Sequence, residues 1–305
     1  MQMVEVIVVD DGSSDKTASV VEETIQTSWI PHLKLVSQKH SGISVARNRG
    51  LQESAGKYVW FIDADDTLEP FCLATIVSAL RDCQCDLFKM GPLNTTNYRA
   101  HKGDLTLTRE VDKIEIFDRY KGTLDHTTYL FHRDFLMANN IRYPENMTIL
   151  EDSVMVLNCL SCARSIFYNP TFIFYCLDGH STTRGLWNQA SRHRFLPSID
   201  NFFAVFKKYV DQQEGVLSQT AKKLYDRYLY VYLRVLLVKG CTLKELLCFK
   251  KTASIPHTFY YGNADIKMMI MKSQLLYRLL YIGYHYIGIP LRKVIRKNSY
   301  ARHDS

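Results

Sequence analysis

Two apolar runs in this chain end in aspartates, and that pairing restricts the fold more than any other feature. The first run, Val4-Glu5-Val6-Ile7-Val8-Val9, leads into Asp10-Asp11, and the second, Tyr58-Val59-Trp60-Phe61-Ile62, leads into Asp63-Ala64-Asp65-Asp66. Short apolar runs bounded by turn residues read as buried strands. Carboxylates placed just past the carboxyl ends of parallel strands stand where open α/β sheets hold their ligands.

Strand and helix patterns alternate over residues 4–90. Strands are predicted at 4–9, 33–36, 58–62 and 86–90. Helices are predicted from a Ser13/Ser14 cap to about residue 26, at 44–53 before Gly56, and at 70–80 with Pro70 in the first turn. The expected fold is α/β, a mostly parallel sheet with flanking helices. Residues 93–129 have weak, mixed periodicity, and 133–140 reads as a short helix. A polar segment opened by Pro144 leads to Glu151-Asp152 at the head of a helix ending near Cys162. Strands at 164–168 and 171–176 are expected to flank an Asn169-Pro170 turn, and helical patterns follow at 192–210, 218–239, 243–250 and 266–289. The expected division is 1–92 for one ligand, 93–187 for a second, and a helical region at 188–305.

With 305 residues, 47% of them hydrophobic and 23% charged, the chain can bury a large core, which excludes a disordered protein. Its net charge of +7 is uneven. From Lys267 onward, Lys272, Arg278, Arg292, Lys293, Arg296, Lys297 and Arg302 face only Asp304. That end suits an anionic surface. The segment from Lys272, aromatic and apolar and followed by the basic stretch after Pro290, fits a helix lying in a membrane headgroup layer, and no nucleic acid is expected as partner. No apolar stretch reaches the length of a membrane span, and Met1-Gln2-Met3-Val4-Glu5 lacks the pattern of a signal peptide. Cys83-Gln84-Cys85 and Cys159-Leu160-Ser161-Cys162 have the spacing of zinc ligands, yet the second pair falls on an apolar helix face. Buried, reduced thiols and a cytoplasmic chain are the expectation.

Three segments carry chemistry. Val9-Asp10-Asp11-Gly12-Ser13-Ser14-Asp15 puts carboxylates at a strand end beside a helix start, suited to ribose hydroxyls or a base imide; the same residues also make an ordinary turn. In Ser41-Gly42-Ile43-Ser44-Val45-Ala46-Arg47-Asn48-Arg49-Gly50, a glycine turn and a Ser44 cap put Arg47 in the first helical turn, where a guanidinium can grip a diphosphate. Asp63 and Asp65 offer hard oxygens to Mg2+ or Mn2+, and three acids crowded there repel one another without a cation or strong donors.

In order and spacing, these segments resemble family 2 of the nucleotide-sugar glycosyltransferases, the GT-A-type family that builds bacterial surface polysaccharides. The resemblance covers roughly the first 90 residues closely. It implies a nucleotide-diphosphate sugar donor, a UDP-sugar being favoured, with Asp10 or Asp11 near the base and Arg47 near the diphosphate. It also implies Asp63 toward the ribose and Asp65 toward the metal. Leu150-Glu151-Asp152 extends it: the family uses the aspartate of such a pair as general base, which implies inversion by direct displacement. The implied acceptor is a lipid-linked or lipopolysaccharide or capsular glycan, and the implied location is the inner face of the cell membrane.

Two departures stand out. Cys176 occupies a position where the family commonly has arginine, which moves any loop contact with diphosphate to His180 or Arg184. The family also has a strand, loop and helix before the Asp10-Asp11 strand, so weakened nucleotide binding and an exposed strand edge are expected. Two other readings compete. Asp63-Ala64-Asp65-Asp66-Thr67 fits the signature of haloacid-dehalogenase-like phosphatases, with Asp63 as nucleophile. A weakened remnant that binds a nucleotide sugar or a partner without turnover is the non-enzymatic alternative.

Overall fold

A computed structural model describes residues 4–28, 30, 32–68, 72–91, 105–119, 124–170, 175–176 and 192–238. It divides into two units, residues 1–225 and 226–305. The expected loop residues His180 and Arg184, and the basic segment from Lys272, lie outside the described residues.

The first unit opens with β1 (Val6–Asp10), α1 (Thr17–Thr27), β2 (Leu33–Ser37) and α2 (Ile43–Glu53). β1 and β2 pair in parallel from Val6–Leu33 to Asp10–Ser37. The start of α1 differs from the expectation. Asp15 Oδ1 accepts from both the amide and the hydroxyl of Thr17, while Ser13 donates its amide to Asp10 Oδ1, so aspartates rather than Ser13 or Ser14 shape this turn. α2 starts from Gly42, whose φ of 97° suits glycine, and not from a Ser44 cap.

The chain continues through β3 (Tyr58–Trp60), β4 (Asp66–Thr67), α3 (Cys72–Asp82) and β5 (Leu87–Met90), then β6 (Arg109–Val111), α4 (Lys113–Arg119), β7 (Tyr129–His132) and α5 (Arg133–Ala138). It ends with α6 (Glu151–Cys162), β8 (Ile166–Asn169), β9 (Tyr175–Cys176), α7 (Arg192–Asp211) and α8 (Gly215–Val238). Five strands form one sheet in the order β3-β7-β5-β8-β6. The class is α/β with flanking helices, and the pairing is mixed: β5 and β8 are parallel, whereas β7 runs antiparallel to β3 and β5, and β6 antiparallel to β8. β7 was invisible in the sequence because its four residues run straight into α5 without a turn signal. The strands around Asn169-Pro170 do not pair with each other. β8 joins the large sheet, and β9 pairs with β4, setting Cys176 opposite Asp66.

β5 is buried along its whole length, Lys89 included. Alternation sends successive side chains to opposite faces. Phe88 and Met90 meet Ile76, Ala79 and Cys83 in one cluster under α3. α6 buries eight of its twelve residues, among them Val154, Met155, Val156, Leu157 and Leu160. α7 is amphipathic, with Phe195, Ile199, Phe202, Phe203 and Phe206 buried at helical spacing. The Ser198 hydroxyl on α7 accepts from the amide of Thr148 at 2.9 Å and so fixes the segment that enters α6. No helix among the described residues is long and apolar enough to cross a membrane.

Candidate active site

α2 is the hub. Arg47 lies 12% exposed between two acids, its Nη2 2.7 Å from Asp63 Oδ1 and its Nη1 2.8 Å from Glu151 Oε1. Its guanidinium carbon stands 5.2 Å from the centre of the Tyr143 ring. Burial pulls against the charge, but Tyr143, Asp63 and Glu151 outweigh it and raise the pKa above the ordinary value. One side chain thus ties the end of the β3 strand run to the head of α6. Next to it, Asn48 is buried and brackets the backbone of Tyr143, accepting its amide at 2.9 Å and donating to its carbonyl at 3.0 Å.

The head of α6 is shaped by Leu150, which has φ 64° and ψ 11°. A left-handed leucine costs about 1–2 kcal/mol, and such strain clusters where side-chain direction matters. Asp152 follows one residue after the Arg47 partner. Burial, then the charges of Glu151 and Asp125, push its pKa up to about 8, against the pull of the Ser153 amide and Arg47. A carboxylate poised near neutrality suits proton transfer.

The first motif behaves differently. Asp11 accepts from Gln38 Nε2 and from the amides of Ser41 and Gly42, each at 2.8 Å, and its Oδ2 is 2.9 Å from His40 Nδ1. Slight burial opposes ionisation, but these donors hold its pKa below the usual value. Asp11 therefore staples the β1 end to the loop before α2. Gly12 lets that loop approach: a Cβ there would meet the His40 amide nitrogen at 2.7 Å. Asp10 is buried and caps Ser13.

Asp65 is exposed, at the tip of the turn before β4. Asp63 is half-buried, and its contacts with Arg47 and His126 both fall on Oδ1. Hard oxygens on Asp63 and Asp65 fit Mg2+ or Mn2+ in donor type. The structure thus joins Arg47, Asp63 and Glu151 directly, with Asp152 next in the chain, and it places Asp11 against the loop leading into α2.

Three residues here escaped the sequence reading. His126 is buried, and both ring nitrogens lack a hydrogen-bond partner among the described residues. Burial and then Arg47 depress its pKa to about 3, so the imidazole is neutral. Asp125 accepts from the amide and hydroxyl of Thr127. Lys89, in the middle strand of the sheet, donates to the Thr128 hydroxyl and sits 4.7 Å from the Tyr129 ring centre. Burial lowers its pKa to about 7, with Asp125 pulling the other way. A lysine inside the otherwise apolar run Leu87–Met90 was the one signal available.

Residues 2–137 match the pattern of Glycosyl transferase family 2. An uncharacterized glycosyltransferase YibD of Escherichia coli is 40% identical over 79 residues, 26% of this chain and 22% of that protein. The succinoglycan biosynthesis protein ExoO of Rhizobium meliloti is 26% identical over 190 residues, 58% of this chain and 53% of that protein. The chain spans about half the length of such relatives or less. Among solved structures, S. aureus TarS 1-349 in complex with UDP superposes with a TM-score of 0.59 at 18% identity, covering 82% of this chain and 70% of that one, which shows a shared fold. The strand-end aspartates, the Arg47 bridge and these likenesses agree: residues 2–137 carry the pattern of glycosyltransferase family 2, in a chain with the α/β fold it shares with TarS.

Proposed function

We propose that this protein transfers a sugar from a nucleotide-diphosphate donor, a UDP-sugar, to a hydroxyl of a lipid-linked or cell-surface glycan with inversion at the anomeric carbon. The observation that supports the reading is the Arg47 bridge, which links Asp63 to Glu151 at the head of α6, one residue before the general-base candidate Asp152. The UDP complex of TarS and the polysaccharide role in the name of ExoO support donor and product class.

In this reading the ionised Asp152 carboxylate takes the proton from the acceptor hydroxyl as its oxygen attacks the anomeric carbon, and the bond to the diphosphate breaks. No covalent enzyme intermediate forms. Arg47 uses one hydrogen on each terminal nitrogen for its two acids, and a guanidinium carries five donors, so further donors serve the departing diphosphate. Asp65 and Asp63 would hold Mg2+ or Mn2+, an ion that supplies Lewis-acid neutralisation of the leaving group when bound. Asp10 serves the nucleoside, and Asp11 shapes the loop that contacts it. A peripheral position on the inner membrane face follows from a lipid-linked acceptor.

The phosphatase alternative needs Asp63 as a free nucleophile, whereas Arg47 holds its Oδ1. The test is a panel of nucleotide sugars incubated with purified protein and Mn2+, scored for nucleoside diphosphate release. Release from one or a few UDP-sugars, lost with EDTA and in Asp65→Ala, is the expected result. Inorganic phosphate from simple phosphoesters with no nucleotide-sugar cleavage would replace this reading with the phosphatase.

A further inference from the structure

Next to the Arg47 bridge lies a second constellation, which shares only Asp152 with the proposed sugar transfer. Asp125, His126 and Asp152 each offer one ligand atom, and these atoms lie within 4.8 Å of one another. His126 makes the group more than an acidic cluster. It is 2% exposed and leaves both Nδ1 and Nε2 without a hydrogen-bond partner among the described residues. Its nearest acid contact, Nε2 to Asp63 Oδ1, is 3.8 Å, too long for a hydrogen bond. Edge-on packing against Phe61 and Tyr143, with ring centres 6.2 and 5.6 Å away, sets the imidazole plane. A buried imidazole with unused lone pairs is costly unless something accepts its electrons or its hydrogen.

We propose that Asp125, His126 and Asp152 form a Zn2+ site, distinct from the Asp63-Asp65 pair, and that zinc bound there blocks transfer. The clause about transfer rests on the proposed role of Asp152; the site itself does not. One imidazole nitrogen and two carboxylates with a fourth position open is a zinc-type donor set, whereas Mg2+ prefers oxygens alone and keeps its waters. Tetrahedral ligands about 2.0–2.1 Å from zinc stand roughly 3.3 Å apart, so the three groups close by up to about 1.5 Å on binding. Asp125 holds the Thr127 amide and hydroxyl on Oδ1, which fixes its carboxylate beside the His126 ring. Of the neighbouring cations, Arg47 is already offset by Asp63 and Glu151, and Lys89 lies in the strand behind Asp125. Zinc on Asp152 would draw charge from its carboxylate and lower its basicity toward the acceptor proton, so occupancy opposes turnover.

The test uses the whole chain, stripped of metal by chelation. Zn2+ is titrated calorimetrically, and Co2+ is followed by its visible absorption as a reporter of nitrogen and oxygen coordination. The comparison covers wild type, His126→Gln, Asp125→Asn and Asp65→Ala, each checked for its melting transition. Expected is one Zn2+ per chain, weakened at least about tenfold by His126→Gln and by Asp125→Asn. Asp65→Ala and millimolar Mg2+ should leave that binding unchanged. Micromolar Zn2+ should also suppress Mg2+-supported turnover in wild type. A folded His126→Gln protein that binds Zn2+ as tightly as wild type, or a wild type that binds none, overturns the site. Absence of turnover with every nucleotide sugar leaves the titration intact and counts only against the transferase reading.

Discussion

The layer made of β1, β2 and α1 and the body made of β5 and α6 are assembled by opposite means. α1 buries none of its residues, Val20 on it is 56% exposed, and the apolar residues of β1 are only half-buried. β5 is buried throughout and α6 over eight of its twelve residues, and they carry Lys89 and Asp152, both pushed by burial toward the neutral form. The first region positions its aspartates with a local turn at Asp10 and with amide donors to Asp11 from the next loop, 27 to 31 positions on. The second positions Asp152 by burial and by contacts from far along the chain. A polar, locally built region suits a ligand that comes and goes, and a dry one suits a proton transfer whose energetics depend on excluding water.

That difference predicts where substitutions hurt. Arg47→Met should destabilise most, by about 3–5 kcal/mol in urea unfolding, because it strands buried Glu151 without its partner. A loss close to zero would show that the bridge is not what joins the layers.

The pH dependence should come next. Asp152 has a folded pKa of about 8, against roughly 3.9 for an unfolded aspartate. Between those values the unfolded chain has released the proton and the folded chain retains it, so stability contributed here falls as pH rises from about 4 to about 8 and is flat above. Asp152→Asn should remove that part of the slope in melting temperature against pH. An unchanged slope would place the titrating group elsewhere.

In the core, Leu157→Ala should cost about 2–5 kcal/mol by leaving a cavity in α6. Val20→Ala on α1 should change stability by less than about 0.5 kcal/mol. Similar values for the two would dissolve the contrast between the regions.

The same contrast explains what the sequence could show. Asp10, Asp11, Asp63 and Asp65 follow apolar runs, so their place at strand ends was legible from a few neighbouring residues, as were α2 and the head of α6. The link between Arg47 and Glu151 spans 104 positions and that between Asn48 and Tyr143 spans 95, and neither leaves a periodic trace. Asn48, next to Arg47, clamps that distant backbone segment. His126 sits in a stretch of mixed pattern, where only the fold shows that it is buried beside two acids. The antiparallel insertion of β7 between β3 and β5 was likewise hidden, because a four-residue strand that merges into a helix lacks the turn that would announce it.

The central claim is that the Arg47 bridge presents Asp152 as the base of a sugar transfer while the nucleotide is held elsewhere. Its most direct test is turnover of Asp152→Asn at saturating UDP-sugar, with UDP affinity measured calorimetrically on the same zinc-free preparation. The prediction is a fall in kcat of about 10³-fold with UDP affinity within about twofold of wild type. Undiminished turnover in Asp152→Asn would contradict it, and so would loss of UDP binding in step with activity.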